Sequence, residues 1–122
     1  MALALTVDLG EPTAAQVRAL MEGLTMVNQV AMRESGRVWP DLRTAGVRYL
    51  RTRQWLSARL LLRRGAGDCK DLVAYEAARL REAGHRVTIR LTRVAQTWHV
   101  QIRLPNGLIF DPSRELGMRG SR

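Results

Sequence analysis

Three side chains in this sequence have types and an order that suit nucleophilic acyl chemistry. They are Cys69 in GAGDCKD, His99 in TWHVQIRL and Asp111 in GLIFDPS. A thiol nucleophile needs a base to take its proton, and the base needs a partner to orient it. Cys69 is the single cysteine of the chain, so it can form no internal disulfide. It follows a glycine turn and opens a helical pattern. Unpaired N–H groups and the positive end of the helix dipole favour a thiolate there, which predicts a lowered thiol pKa. Asp68 as N-cap and Asp71 in the first turn oppose that shift, and Lys70 partly offsets them. The alternative is that Cys69 is inert and packs as a small apolar residue, as most free cysteines do.

His99 and Asp111 can meet only through the turn between their strands. A two-residue Asn106-Gly107 loop makes paired positions sum to 213 and puts them on opposite faces. A three-residue Pro105-Asn106-Gly107 loop makes the pairs sum to 212. Proline suits the first position of a type I turn and glycine the left-handed position after it. That register pairs Leu104 with Leu108 and Ile102 with Phe110 on one apolar face. His99, Gln101, Ile109 and Asp111 share the other, with Asp111 one diagonal step from His99. The three-residue loop is the expected one. The second histidine, His85, follows Gly84 and reads as a solvated loop residue.

The elements that must hold these groups come from periodicity. A first helix starts at Thr13, with Gln16 at capping-box spacing, and runs through Val17, Leu20, Met21, Leu24, Val27 and Ala31 toward Gly36. Met21, Met26 and Met32 read as a core stripe, with a partner-facing role as the alternative. WPDLRTAG is a turn region. A second helix is expected from Val47 to Arg64, with Val47, Leu50, Gln54 and Leu61 on one face. On this helix Arg48, Arg51, Trp55, Arg59 and Arg63 form a basic stripe. A third helix runs from Cys69 to before Gly84, facing inward with Cys69, Leu72, Val73, Ala77 and Leu80. Period 2 then takes over in Val87, Ile89 and Leu91, followed by the strands TWHVQIRL and LIFD. Helices first and an antiparallel sheet afterwards predict an α+β fold.

The chain has 122 residues, one domain's worth, and residues 114–122 read as a flexible tail. Its formal net charge is +9, and Lys70 is the sole lysine. A lysine-poor, arginine-rich balance is what a GC-rich genome yields. The basic stripe reads as a solvated face, and nucleic acid is not an expected partner. No apolar run is long enough to span a membrane, and the start lacks a basic leader, so a cytoplasmic location is expected. One cysteine and two separated histidines give no metal-ligand cluster of the usual spacing, and no phosphate-binding glycine loop is present. No cofactor is expected.

GAGDCKD with its Ala- and Leu-rich helix, then WHVQI, then GLIFDPS resembles the transglutaminase-like superfamily. That superfamily has the papain-like cysteine-proteinase fold. The resemblance spans residues 45–113. It implies a papain-like core, with the cysteine helix packed on a three-stranded or slightly larger antiparallel sheet. It also implies Cys69 as nucleophile, His99 as base and Asp111 as orienting acid. One position departs from the pattern: two residues after the histidine, where an aromatic is common, stands Gln101, and the aromatic here is Trp98. Hydrolysis of an amide or peptide is the expected chemistry, with a protein or peptide substrate. Transglutaminase-type cross-linking is the first alternative. The second is a non-catalytic structural or binding module in a larger complex, virion-associated if phage-encoded. The oxyanion is expected to rest on the Cys69 N–H and a side-chain donor, for which Gln54 is the candidate on its apolar stripe. Trp98 is the candidate wall of a substrate channel, with apolar packing as the alternative.

Overall fold

A computed structural model of the chain describes residues 3–118. The order is β1 (Ala4–Thr6), α1 (Ala14–Ser35), β2 (Arg48–Tyr49), β3 (Gln54–Leu56), α2 (Ala58–Arg64), β4 (Ala66–Gly67), α3 (Cys69–Glu82), β5 (Thr88–Val94), β6 (Thr97–Arg103), β7 (Ile109–Phe110) and α4 (Pro112–Glu115). The class is α+β. β5, β6 and β7 form an antiparallel sheet in that order, and two short ladders join β1 to β3 and β2 to β4.

α3 is the centre of the molecule. Its apolar residues are buried nearly all round rather than on one stripe, as a helix covered on several sides must be. One cluster lies between α3, α1 and the sheet and holds Met21, Val73, Ala77, Ile89, Val100 and Ile102. The other, on the opposite flank, holds Met32, Trp39, Leu42, Leu56, Leu61, Leu72 and Tyr75. The expected inward face of α3 was too narrow: Ala74, Tyr75, Glu76 and Ala78 are buried as well. Glu76 is neutralised there by Arg79 at 2.7 Å and accepts the Leu42 N–H at 2.9 Å. On α1 the capping box of Thr13 and Gln16 is formed, Met21 and Met32 are core residues, and Met26 is exposed.

The expected helix from Val47 to Arg64 is not formed as one element. Only Ala58–Arg64 is helical, and the preceding residues are extended. The cause is tertiary. The buried Asp71 carboxylate accepts the Leu56 N–H at 2.8 Å, Lys70 Nζ donates to the Thr52 carbonyl at 2.8 Å, and Leu50 N–H donates to Gly67 O at 2.8 Å. These bonds replace helical ones and override the local 3.6-residue pattern. The basic stripe is therefore no helix face: Arg48 lies on β2, Trp55 on β3, and Arg59 and Arg63 on α2. Lys70 rather than a row of arginines sits over the Trp55 ring, 5.7 Å from its centroid.

The expected tail also begins too early. Glu115 ends α4, Leu116 accepts the Tyr49 N–H at 2.9 Å and packs on the second cluster, and Met118 N–H donates to Ser113 O at 2.8 Å. The last part of the expected tail, 119–122, lies outside the described residues. Among the described residues no helix is long and apolar enough to cross a membrane.

Candidate active site

The hairpin adopts the three-residue turn. Ile102 pairs with Phe110 and Arg103 with Ile109, so paired positions sum to 212, and Leu104 N–H donates to Leu108 O at 2.8 Å. Gly107 takes φ +88°, the left-handed conformation that this turn requires at its third loop residue. Ile102 is fully buried against α3, which fixes the face. Asp111 then falls beside His99 and Gln101. His99 Nε2 lies 2.8 Å from Asp111 Oδ2, and Gln101 Nε2 donates to the same oxygen at 3.0 Å. The non-aromatic residue two places after the histidine thus has a role: it braces the carboxylate.

Asp111 is also the N-cap of α4, accepting the Arg114 N–H at 3.4 Å. Burial acts to raise its pKa, but the hydrogen bonds from His99 and Gln101 outweigh burial, and the carboxyl is held below its ordinary value. An ionised carboxylate only accepts, so the His99 nitrogen facing it carries the proton. In the neutral imidazole that arrangement leaves the lone pair on Nδ1.

Cys69 opens α3, as expected, behind a loop that only glycine permits. A Cβ at Gly67 would stand 2.6 Å from Leu61 Cδ1 and 3.1 Å from the Asp71 Cβ. Asp71 closes the turn from below: fully buried, it accepts the Asp68 N–H at 3.0 Å and lies 3.3 Å from Lys70 Nζ. Burial raises the Asp71 pKa against the lowering effect of Lys70 and the two backbone donors.

The thiol itself departs from expectation. Its pKa is pushed up to about 12, first by burial and then by the Asp68 charge, against the lowering effects of the Val100 N–H and Lys70. Desolvation outweighs the helix dipole because the side chain packs in the first core cluster with only 9 % of its surface exposed. The Cys69 N–H is not free either: it donates to Asp68 Oδ1. The expected oxyanion donor is already satisfied within the N-cap.

Cys69 and His99 line one cleft of about 700 Å³, together with Tyr49, Lys70, Trp98 and Val100. Val100, one residue after His99, lines the same cleft, and its backbone N–H acts to lower the thiol pKa. Trp98 lines the same cleft while packing on the core. Its Nε1 donates to Pro12 O at 3.0 Å and Arg93 stacks on its ring at 5.0 Å, so wall and packing roles coincide. Gln54 is not among the lining residues. It stands on β3 rather than on a helical stripe, and its side-chain carbonyl accepts from Arg64. His85 is an exposed residue after α3. Sequence reasoning passed over Tyr49, which lines the cleft; its one sequence signal was an alternation too short to separate from the flanking helix pattern. Among the described residues no group of three or more His, Cys, Asp or Glu side chains is arranged to hold a metal ion.

In comparison with known proteins, the chain matches no family model, no curated protein and no solved structure.

Proposed function

We propose that this chain is a thiol-dependent acyl-transfer enzyme of the transglutaminase-like, papain-related kind, cleaving an amide of a protein or peptide. One observation carries the reading: His99, held by Asp111 at 2.8 Å, lines the same cleft as Cys69. His99 Nδ1 takes the thiol proton as Cys69 sulfur attacks the acyl carbonyl. The carbonyl π pair moves onto oxygen. Collapse breaks the C–N bond, and the amine leaves with the proton from His99. Asp111 stabilises the imidazolium formed in between. Water then attacks the thioester and returns the thiol. A thiol pushed up to about 12 is neutral at rest, so the base acts during attack rather than through a resting thiolate. Hydrolysis is the simpler outcome, because amine transfer requires a site that excludes water and admits a second substrate.

The test needs no natural substrate. Wild-type protein is mixed with p-nitrophenyl acetate, and nitrophenolate release is followed beside the mass of the protein. Acetylation confined to Cys69, followed by hydrolysis and abolished in His99→Ala, is the expected result. An unacetylated Cys69, or equal rates in wild type and His99→Ala, ends the proposal.

A second reading has its own observation. The raised thiol pKa and the occupied Cys69 N–H suit a packed cysteine in a non-catalytic module of a larger assembly. Under that reading p-nitrophenyl acetate leaves Cys69 unacetylated and His99→Ala changes nothing.

A further inference from the structure

Acyl transfer at Cys69 needs a donor for the developing oxyanion, and neither expected donor is available. The Cys69 N–H is held by Asp68 and Gln54 lies off the cleft beside Arg64. The remaining donors in the cleft wall are mostly committed. Lys70 Nζ serves the Thr52 carbonyl and Asp71, and Trp98 Nε1 serves Pro12 O. Tyr49 is different. Tyr49 lines the cleft, and its hydroxyl makes no hydrogen bond among the described residues. Its backbone is fixed by β pairing: Tyr49 stands opposite Gly67, two residues before the nucleophile, and its N–H is tied to Leu116 O. The backbone of this half-buried residue is therefore anchored beside the loop that leads into α3.

We propose that the Tyr49 hydroxyl is the oxyanion donor of this site. It gives a hydrogen bond, not a proton, to the carbonyl oxygen as the sulfur–carbon bond forms and the π pair moves onto oxygen. The bond relaxes when the carbonyl re-forms and the leaving group departs. Burial, then the charges of Asp68 and Cys69, raise the Tyr49 pKa, which keeps the donor proton in place through neutral and mildly alkaline pH. The assignment rests on the acyl-transfer reading above and adds a catalytic residue to it.

Two probes separate the two claims. Acetylation by p-nitrophenyl acetate passes through an oxyanion, whereas alkylation by iodoacetamide displaces iodide and forms none. Tyr49→Phe is expected to slow acetylation by about 10²–10³-fold, the usual cost of one oxyanion donor, with KM and the alkylation rate unchanged. Tyr49→Met, which removes the donor through a different side chain, must give the same split should the phenylalanine variant fail to fold. Arg51→Gln, at one of the two exposed arginines of the same cleft, is expected to leave acetylation unchanged. Wild-type acetylation with equal rates in Tyr49→Phe overturns the Tyr49 assignment alone, as does loss in Arg51→Gln in its place. A parallel fall in alkylation also overturns it, because the ring then acts on the thiol or the fold rather than on the oxyanion. A wild-type protein that alkylates but never acetylates overturns the acyl-transfer reading and the assignment with it.

Discussion

His99 Nε2 reaches Asp111 Oδ2 at 2.8 Å although the two residues are not paired across the hairpin; the register carries Asp111 opposite Gln101. The diagonal contact depends on one extra loop residue. Shortening the loop by one would move Asp111 to the opposite face of its strand, away from His99.

Breaking that contact separates orientation from charge. Asp111→Asn keeps the shape but can present its amide N–H to Nε2, which favours the wrong tautomer. Acetylation of Cys69 is expected to fall by about 10²–10⁴-fold, the range of a general-base contribution. Mass spectrometry of the protein after timed exposure to p-nitrophenyl acetate reads it. A rate within error of wild type would show that Asp111 only caps α4.

The thiol dictates a pH profile. Iodoacetamide reacts with thiolate, so Cys69 labelling is expected to rise through the alkaline range toward about 12, without a plateau near neutrality. Quenched labelling followed by peptide mapping at stepped pH measures this. A plateau near neutral pH would mean that the sulfur is solvated or paired with imidazolium.

The same shift has a stability consequence with a definite sign. The folded-state pKa of Cys69 lies above the unfolded one, so between them the unfolded chain holds fewer protons. The contribution is fully present below the unfolded thiol pKa and is lost as pH climbs through about 12. Tyr49 is raised in the same direction, chiefly by burial, and adds to the loss. The Tm is expected to fall from mildly alkaline pH upward, and to fall less steeply in Cys69→Ala. Identical slopes in the two proteins would refute the buried-thiol assignment.

Asp71 holds the loop that aims Cys69. Asp71→Ala strands the Leu56 and Asp68 N–H groups and leaves Lys70 without its closest carboxylate. Removing one partner of a buried ion pair costs about 3–5 kcal/mol. Urea unfolding of the variant against wild type checks it, and a loss comparable to a surface substitution would contradict the burial of this carboxylate.

Gly67 offers a steric test of the same loop. Gly67→Ala puts a methyl into Leu61 Cδ1, an overpacking expected to cost about 1–3 kcal/mol. Leu61→Val in the same chain shortens the offending side chain, so the double variant should recover part of the loss. Additive losses would mean that the two positions do not touch.

Much of this protein was legible in its residue order. Local rules placed the Thr13 capping box, the start of α3 at Cys69 behind its Asp68 cap, and the turn that brings Asp111 to His99. In each case the deciding interactions lie within a few residues along the chain or across one tight turn. The segment from Val47 to Leu56 was not legible, because its backbone is satisfied by Asp71, Gly67, Leu116 and β1, groups distant in sequence. Neither was the thiol pKa. A helix start favours the thiolate by local dipoles, but enclosure by α1 and the sheet removes the water that a charge needs, and desolvation is a property of the assembled core. Side-chain types and their spacing along the chain determined which groups can do chemistry; only the packed fold decided which of them share a cleft and in what state of protonation they rest.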